Sequence, residues 1–169
     1  EISMLYVEIA YDEEADELLR SLIDDVVDGY EKKITNASWL SDETKSLLKE
    51  KLNNIVVLTA KNVDTNVINT QKADCFTGNY WDSFGNLFDY IDSNDIQKLG
   101  STIPKDEILM PMYEVNACYS SNNTVTITLA IQQGEFFSKN NSYAENLGGI
   151  GAIIGHEIGH AFDSNNMKY

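Results

Sequence analysis

The feature that most constrains this 169-residue chain lies near its end. Gly151, Gly155 and Gly159 recur every four residues there, with Gly148 close to the same line, and Ile150, Ile154 and Ile158 recur at the same interval on another side. Residues four apart share one face of an α-helix. The stretch from about Ser142 to Phe162 therefore reads as one helix, with an isoleucine face that belongs in a core and a bare glycine face. Each interior glycine costs roughly 1 kcal/mol relative to alanine. Three cost about 3 kcal/mol, against a domain stability of about 5–15 kcal/mol. Propensity alone does not hold such a helix. The expectation is a central, buried helix whose glycine face admits another backbone at short range, or whose other face is anchored by a metal.

The same helix holds the chain's only two histidines, His156 and His160. Their spacing lets two imidazoles reach one metal ion. Glu157 sits about 100° around from His156 by the helix period, leaning toward the metal without being placed as a ligand. From there it can take a proton from a metal-bound water, which is the logic of a His-Glu-x-x-His zinc site. Such a pattern also arises by accident, and a helical histidine is usually structural or exposed. The shared ligand spacing and the apolar run Gly148–Ile154 before it argue against accident. After His160 the chain reads Ala161-Phe162-Asp163-Ser164-Asn165-Asn166. The metzincin pattern needs Gly at 163 and a third His at 166, so that class is disfavoured. A third protein ligand is then an upstream carboxylate or thiol, or a residue beyond Tyr169. The second is favoured.

Elsewhere the period tells helices from strands. Asp12 to Ile34 carries Leu18, Leu22, Val26 and Tyr30 every fourth residue, with an acidic start that suits the helix dipole and reads as solvated. A second helix starts at the N-cap Ser41 and runs to about Asn53. Ile55 to Thr59 is a strand-like apolar run, and Asn62 to Asp74 reads as loop. Tyr80 to Leu99 places Trp81, Phe84, Leu87, Phe88 and Ile91 at helical spacing, which reads as core. Val115–Tyr119 and Thr124–Ile131 are expected strands around a Ser120–Asn123 turn. Gly134 to Asn141 reads as a loop.

Composition excludes some partners. With 12 basic and 27 acidic residues the net charge is −15. Such a surface repels phosphate backbones, so no nucleic-acid partner is expected, nor contact with an anionic membrane. No run approaches the roughly 18 apolar residues of a bilayer span. The start, Glu1-Ile2-Ser3, has no signal-peptide pattern and says little about export. Cys75 and Cys118 form neither a disulfide framework nor a metal-spacing pair, and read as buried or free thiols. The Asn-x-Ser/Thr triplets at Asn36, Asn122 and Asn140 carry no weight in so Asn-rich a chain.

Val115-Asn116-Ala117-Cys118-Tyr119-Ser120, then Phe136-Phe137, then the run from Leu147 to Asp163, resemble the neprilysin and endothelin-converting-enzyme family of zinc metallopeptidases, which includes bacterial oligopeptidases. Trp39-Leu40-Ser41-Asp42-Glu43-Thr44-Lys45 resembles an upstream family segment. The resemblance is strong from Val115 onward and looser before it. It implies an α+β, mainly helical fold: part of a thermolysin-like catalytic domain with a small antiparallel sheet. One catalytic region would span 1–169, with a helical part at 1–112 and edge strands plus the zinc helix at 113–169.

The resemblance assigns His156 and His160 as zinc ligands and Glu157 as the base. Asn116 and Ala117 would bind substrate backbone, and Asp163 would orient an imidazole. It also implies oligopeptide substrates, often cut before a bulky hydrophobic residue. The third ligand Glu, with a His and an Arg for the transition state and the substrate, would lie after Tyr169, in a C-terminal remainder of the same protein. That is a gluzincin arrangement. Gly159 stands where the family usually has Thr, Ile108 where Trp is common, and Ile127-Thr128-Leu129 replaces a Phe-Pro-Ala-like stretch. These departures leave the proposed zinc ligands unchanged. The family favours an extracellular or cell-envelope setting and leaves a cytoplasmic one open. The reading is a zinc-dependent endopeptidase of which this piece alone is inactive. The alternative is a non-catalytic metal- or peptide-binding module.

Overall fold

The computed structural model describes residues 2–63, 74–102 and 104–167. The chain divides into two compact units, one of residues 1–64 and 105–169 and one of residues 65–104. Most of the polar stretch Asn62–Asp74 lies outside the described residues.

The first unit begins with α1 (Ile2–Ala10) and a long α2 (Glu13–Asn36). Asp12 caps α2 by accepting the Ala15 N–H at 3.1 Å. The acidic start is not wholly solvated: Asp16 is 1% exposed. Its carboxylate accepts Arg20 Nε and Thr59 Oγ1, both at 2.7 Å, so a buried charge is paired across elements. Helix α3 (Asp42–Asn53) starts at Ser41, whose hydroxyl accepts the Thr44 N–H at 3.2 Å.

Three strands follow: β1 (Val56–Leu58), β2 (Ala117–Ser120) and β3 (Thr124–Ile127), ordered β1-β3-β2. The expected antiparallel hairpin is present, with Ala117 opposite Ile127 and Tyr119 opposite Val125. β1 adds to the other side of β3 in parallel, Val57 beside Val125, so the small sheet is mixed. β3 is central, and all four of its residues are buried, Thr124 and Thr126 included. The strand stops at Ile127, short of the expected Ile131. There Thr128 Oγ1 lies 2.6 Å from the Glu114 carbonyl and 2.7 Å from that of Asn116, and the chain turns into a 3-10 turn at Ala130–Gln132.

The last helix is continuous but not uniform. It opens at Ser142, which forms a reciprocal capping box with Glu145, and runs through α5 (Tyr143–Asn146), a π-helical turn (Leu147–Gly151) and α6 (Ala152–His160). The π turn has a visible cause: the Ile150 N–H is taken at 2.8 Å by the Phe136 carbonyl, which inserts from the preceding loop. A Cβ on Gly149 would sit 2.3 Å from that oxygen, so only glycine admits it.

The close backbone approach is thus at Gly149 and comes from within the chain. The stripe Gly151, Gly155 and Gly159 meets side chains instead. Leu147 covers Gly151, Val26 of α2 lies against Gly155, and the Tyr30 hydroxyl lies against Gly159. Ile150, Ile154 and Ile158, all fully buried, pack with Leu19, Leu22, Val125 and Ile127 in one core cluster. A smaller cluster joins Val7, Ala60, Met112 and Leu129.

The second unit contains α4 (Tyr80–Lys98), capped by Asn79. Its aromatic stripe is not core. No residue of α4 is buried, and Trp81 is 75% exposed. The rings of Tyr80, Trp81, Phe84 and Phe88 pack on one another along the helix surface. Among the described residues no helix is long and apolar enough to cross a membrane.

Candidate metal centre

Helix α6 brings together the three residues expected from the sequence. His156, Glu157 and His160 each offer a ligand atom within 4.8 Å of the others. The two histidine Nε2 atoms are 3.1 Å apart, with the rings nearly perpendicular. Two imidazole nitrogens that close can share one ion of the size of zinc. Soft-to-borderline imidazole nitrogens with an adjacent carboxylate form a donor set that fits zinc. His156 is exposed, His160 half-buried and Glu157 buried, so the pair faces open space while the carboxylate sits at its inner edge.

Asp163 lies one turn beyond His160. Its Oδ2 meets His160 Nδ1 at 3.0 Å, and its Oδ1 accepts the N–H groups of Asn165 and Asn166 at 2.9 and 3.0 Å. These bonds, the one from His160 foremost, hold the Asp163 carboxyl below its ordinary pKa. An ionised Asp163 favours the His160 tautomer with its proton on Nδ1, in which Nε2 carries the lone pair.

The edge strand β2 runs beside α6. The Asn116 carbonyl accepts the Thr128 N–H at 3.4 Å and so points toward β3. Alternate residues of a strand aim their backbone groups to opposite sides, so those of Ala117 face the free edge. There the Ala117 N–H is held at 2.9 Å by the exposed side chain of Asn116. Cys118, half-buried, has its thiol pKa raised, chiefly by burial and also by the charge of nearby Glu157. Neither Cys75 nor Cys118 forms a disulfide among the described residues.

Two contributors were not singled out in the sequence. Tyr30 donates from its hydroxyl to the Gly155 carbonyl at 2.7 Å and stacks on Phe162. Its place on the α2 stripe signals burial against a neighbour, and the glycines four apart mark where that neighbour has room. Lys51 of α3 donates to the carbonyl of Asn166, and nothing local in the sequence points to that contact.

Comparison with known proteins adds a lineage to this geometry. Two family models, both described as Peptidase family M13, match residues 1–60 and 116–169. A neutral endopeptidase of Lactococcus lactis subsp. lactis is 28% identical over 169 residues, covering 99% of this chain and 27% of that protein. Human neprilysin is 30% identical over 175 residues, covering 99% of this chain and 23% of its own length. The structure of the Mycobacterium tuberculosis zinc metalloprotease Zmp1 in complex with an inhibitor superposes with a TM-score of 0.77 at 29% identity. That match covers 99% of this chain and 25% of the other. The chain thus spans about a quarter of the length of the relatives it matches.

Proposed function

This chain belongs to peptidase family M13, and on that premise we propose that it contributes the zinc-binding helix and the substrate-binding edge strand of a zinc-dependent endopeptidase. The observation that carries the reading is the pair of Nε2 atoms 3.1 Å apart, one of them on a ring whose other nitrogen meets a carboxylate.

His156 and His160 would hold the ion. When bound, zinc supplies Lewis acidity that polarises a scissile carbonyl and acidifies water. Glu157, at the inner edge of the pair, takes the proton of the attacking water and delivers it to the departing amine, as general base and then general acid. Asp163 fixes the tautomer and angle of His160. The free edge of β2 accepts an extended peptide as an added strand. Ala117 supplies backbone groups, and Asn116 turns from its own main chain to that of the substrate. The substrates are oligopeptides. We place the third ligand, a Glu, outside these 169 residues, and infer that the 169 residues alone bind zinc weakly and do not hydrolyse peptides.

The test uses the full-length protein with a fluorogenic peptide and a zinc assay. Glu157→Gln should keep zinc and lose about 10²–10⁴-fold in turnover, the span of general acid–base catalysis. His156→Ala and His160→Ala should lose the metal as well. Full activity in Glu157→Gln refutes the proposed base. Zinc and peptide binding by the wild type without hydrolysis would favour a binding module.

A further inference from the structure

We propose that Lys51 is a positioning residue for His160, acting through the turn that carries Asp163. The inference rests on reading His156 and His160 as zinc ligands, and its test is arranged so that the two can fail separately.

Asp163 can orient the imidazole only if Asp163 is itself held. One of its oxygens faces His160 Nδ1. The other is fixed by three donors of the turn: Asn165 N at 2.9 Å, Asn166 N at 3.0 Å and Asn166 Nδ2 at 3.2 Å. The carboxylate therefore goes where the Asp163–Asn166 turn goes. Within these 169 residues Ser164 and Asn165 are exposed and none of Asp163 to Met167 is buried, so polar contacts hold that turn.

Lys51 ties the turn to the body of the unit: its ammonium donates to the Asn166 carbonyl. Lys51 lies in the last turn of α3 and is anchored at its other end, where its carbonyl accepts Asn123 Nδ2 at 3.0 Å. Asn123 is the corner of the β2–β3 hairpin, with a φ of 64°. Its Oδ1 accepts the Tyr119 hydroxyl at 3.0 Å, and its carbonyl accepts the Val56 N–H at 3.1 Å. The edge strand, α3 and the turn behind His160 thus converge on one lysine.

The charge on Lys51 belongs to the argument as well. Burial lowers the lysine's pKa, and the Asp163 carboxylate opposes that by favouring the ammonium. A point charge there attracts both the Asn166 carbonyl and the Asp163 carboxylate, which a neutral side chain of equal length does not.

Zinc affinity is the readout, measured by chelator competition on the full-length protein. Losing a direct partner of a metal-bound histidine costs about 10–100-fold in affinity. Asp163→Asn should fall in that range. Lys51→Met, one bond further out, should lose less, about 3–10-fold on the same scale. Lys51→Arg should recover most of that loss. Lys49→Met removes a lysine of the same helix that pairs with exposed Glu31, at 3.4 Å, and should bind zinc like the wild type. The Lys51→Met/Asp163→Asn double variant should be no weaker than Asp163→Asn alone, because one acts through the other.

The proposal is overturned if Lys51→Met binds zinc as the wild type does, if Lys51→Arg recovers nothing, or if the double variant is additive. If Lys51→Met does not fold, Lys51→Gln and Lys51→Arg carry the same comparison. Zinc binding that survives His160→Ala would instead sink the ligand reading beneath it.

Discussion

Helices α4 and α6 invert what their sequences advertise. α4 has a regular aromatic stripe and no buried residue. α6 has glycines where a helix wants side chains, yet buries Ile154, Glu157 and Ile158. The difference lies in the neighbours. α6 has a shaped partner at each weak point: a loop carbonyl at Gly149, just upstream, Val26 at Gly155 and the Tyr30 hydroxyl at Gly159. Among the described residues, α4's rings pack mainly on one another, with polar contacts from Cys75 to Asn86 and from Thr77 to Ser83. Periodicity reports that a helix has a face. It does not report what covers that face.

The largest effect that would break this contrast is at Gly149. Gly149→Ala places a methyl 2.3 Å from the Phe136 oxygen, a backbone atom that cannot swing aside. Either the bond from Ile150 N to Phe136 O is lost or the loop moves. A destabilisation of about 1–3 kcal/mol is expected by urea unfolding, the cost of overpacking. Gly148→Ala, one residue earlier, meets nothing within 4 Å and should be neutral, or stabilising by up to about 1 kcal/mol. Equal effects at the two positions would mean that the carbonyl insertion does not shape the π turn.

A smaller effect sharpens the account of the glycine stripe. Tyr30→Phe removes the bond to the Gly155 carbonyl and should cost about 0.5–1.5 kcal/mol. Gly159→Ala gains helix propensity but puts its methyl 3.0 Å from the same hydroxyl. The net effect of that single change is small, so the coupling is the quantity to measure. In the Tyr30→Phe background the alanine should be better tolerated, by about 0.5 kcal/mol or more in a double-mutant cycle. Simple additivity would mean that Tyr30 and Gly159 do not share the space. The pair also gives a local reason for glycine at 159, where the resemblance leads one to expect threonine.

What the sequence showed of this fold follows from range. The cap at Ser41, the hairpin around Ser120–Asn123 and the His156–His160 spacing are each set within a few residues, and each is found where local rules put it. The first helix, Ile2–Ala10, has no amphipathic signature: apart from Ser3 and Glu8 it is apolar all round, so no stripe marks it in the sequence. The parallel pairing of β1 with β3, the carbonyl of Phe136 at Gly149 and the reach of Lys51 to Asn166 join residues 13 to 115 positions apart. No period encodes such contacts. For the same reason Asp16 read as one more solvated acid: its partner Thr59 lies 43 positions on. The candidate site was legible because its donors sit on one helical turn, whereas the contacts that reach that helix and the turn after it come from α2 and α3.

The smallest expected effect concerns α4. Trp39 and Trp81 are the two tryptophans of the chain, and both are largely exposed. With Trp39→Phe as background, the one remaining indole reports on the α4 stripe alone. It should emit as a solvated indole and be quenched freely by acrylamide in the 169-residue chain. A further Trp81→Ser change should move unfolding by no more than about 0.5 kcal/mol, as for other surface positions. The edge-on contacts of Trp81 with Tyr80 and Phe84 set that small ceiling. A shielded indole, or a loss above about 1 kcal/mol, would place Trp81 in a packed interior. The stripe would then be core after all, and α4 and α6 would differ in chemistry but not in fate.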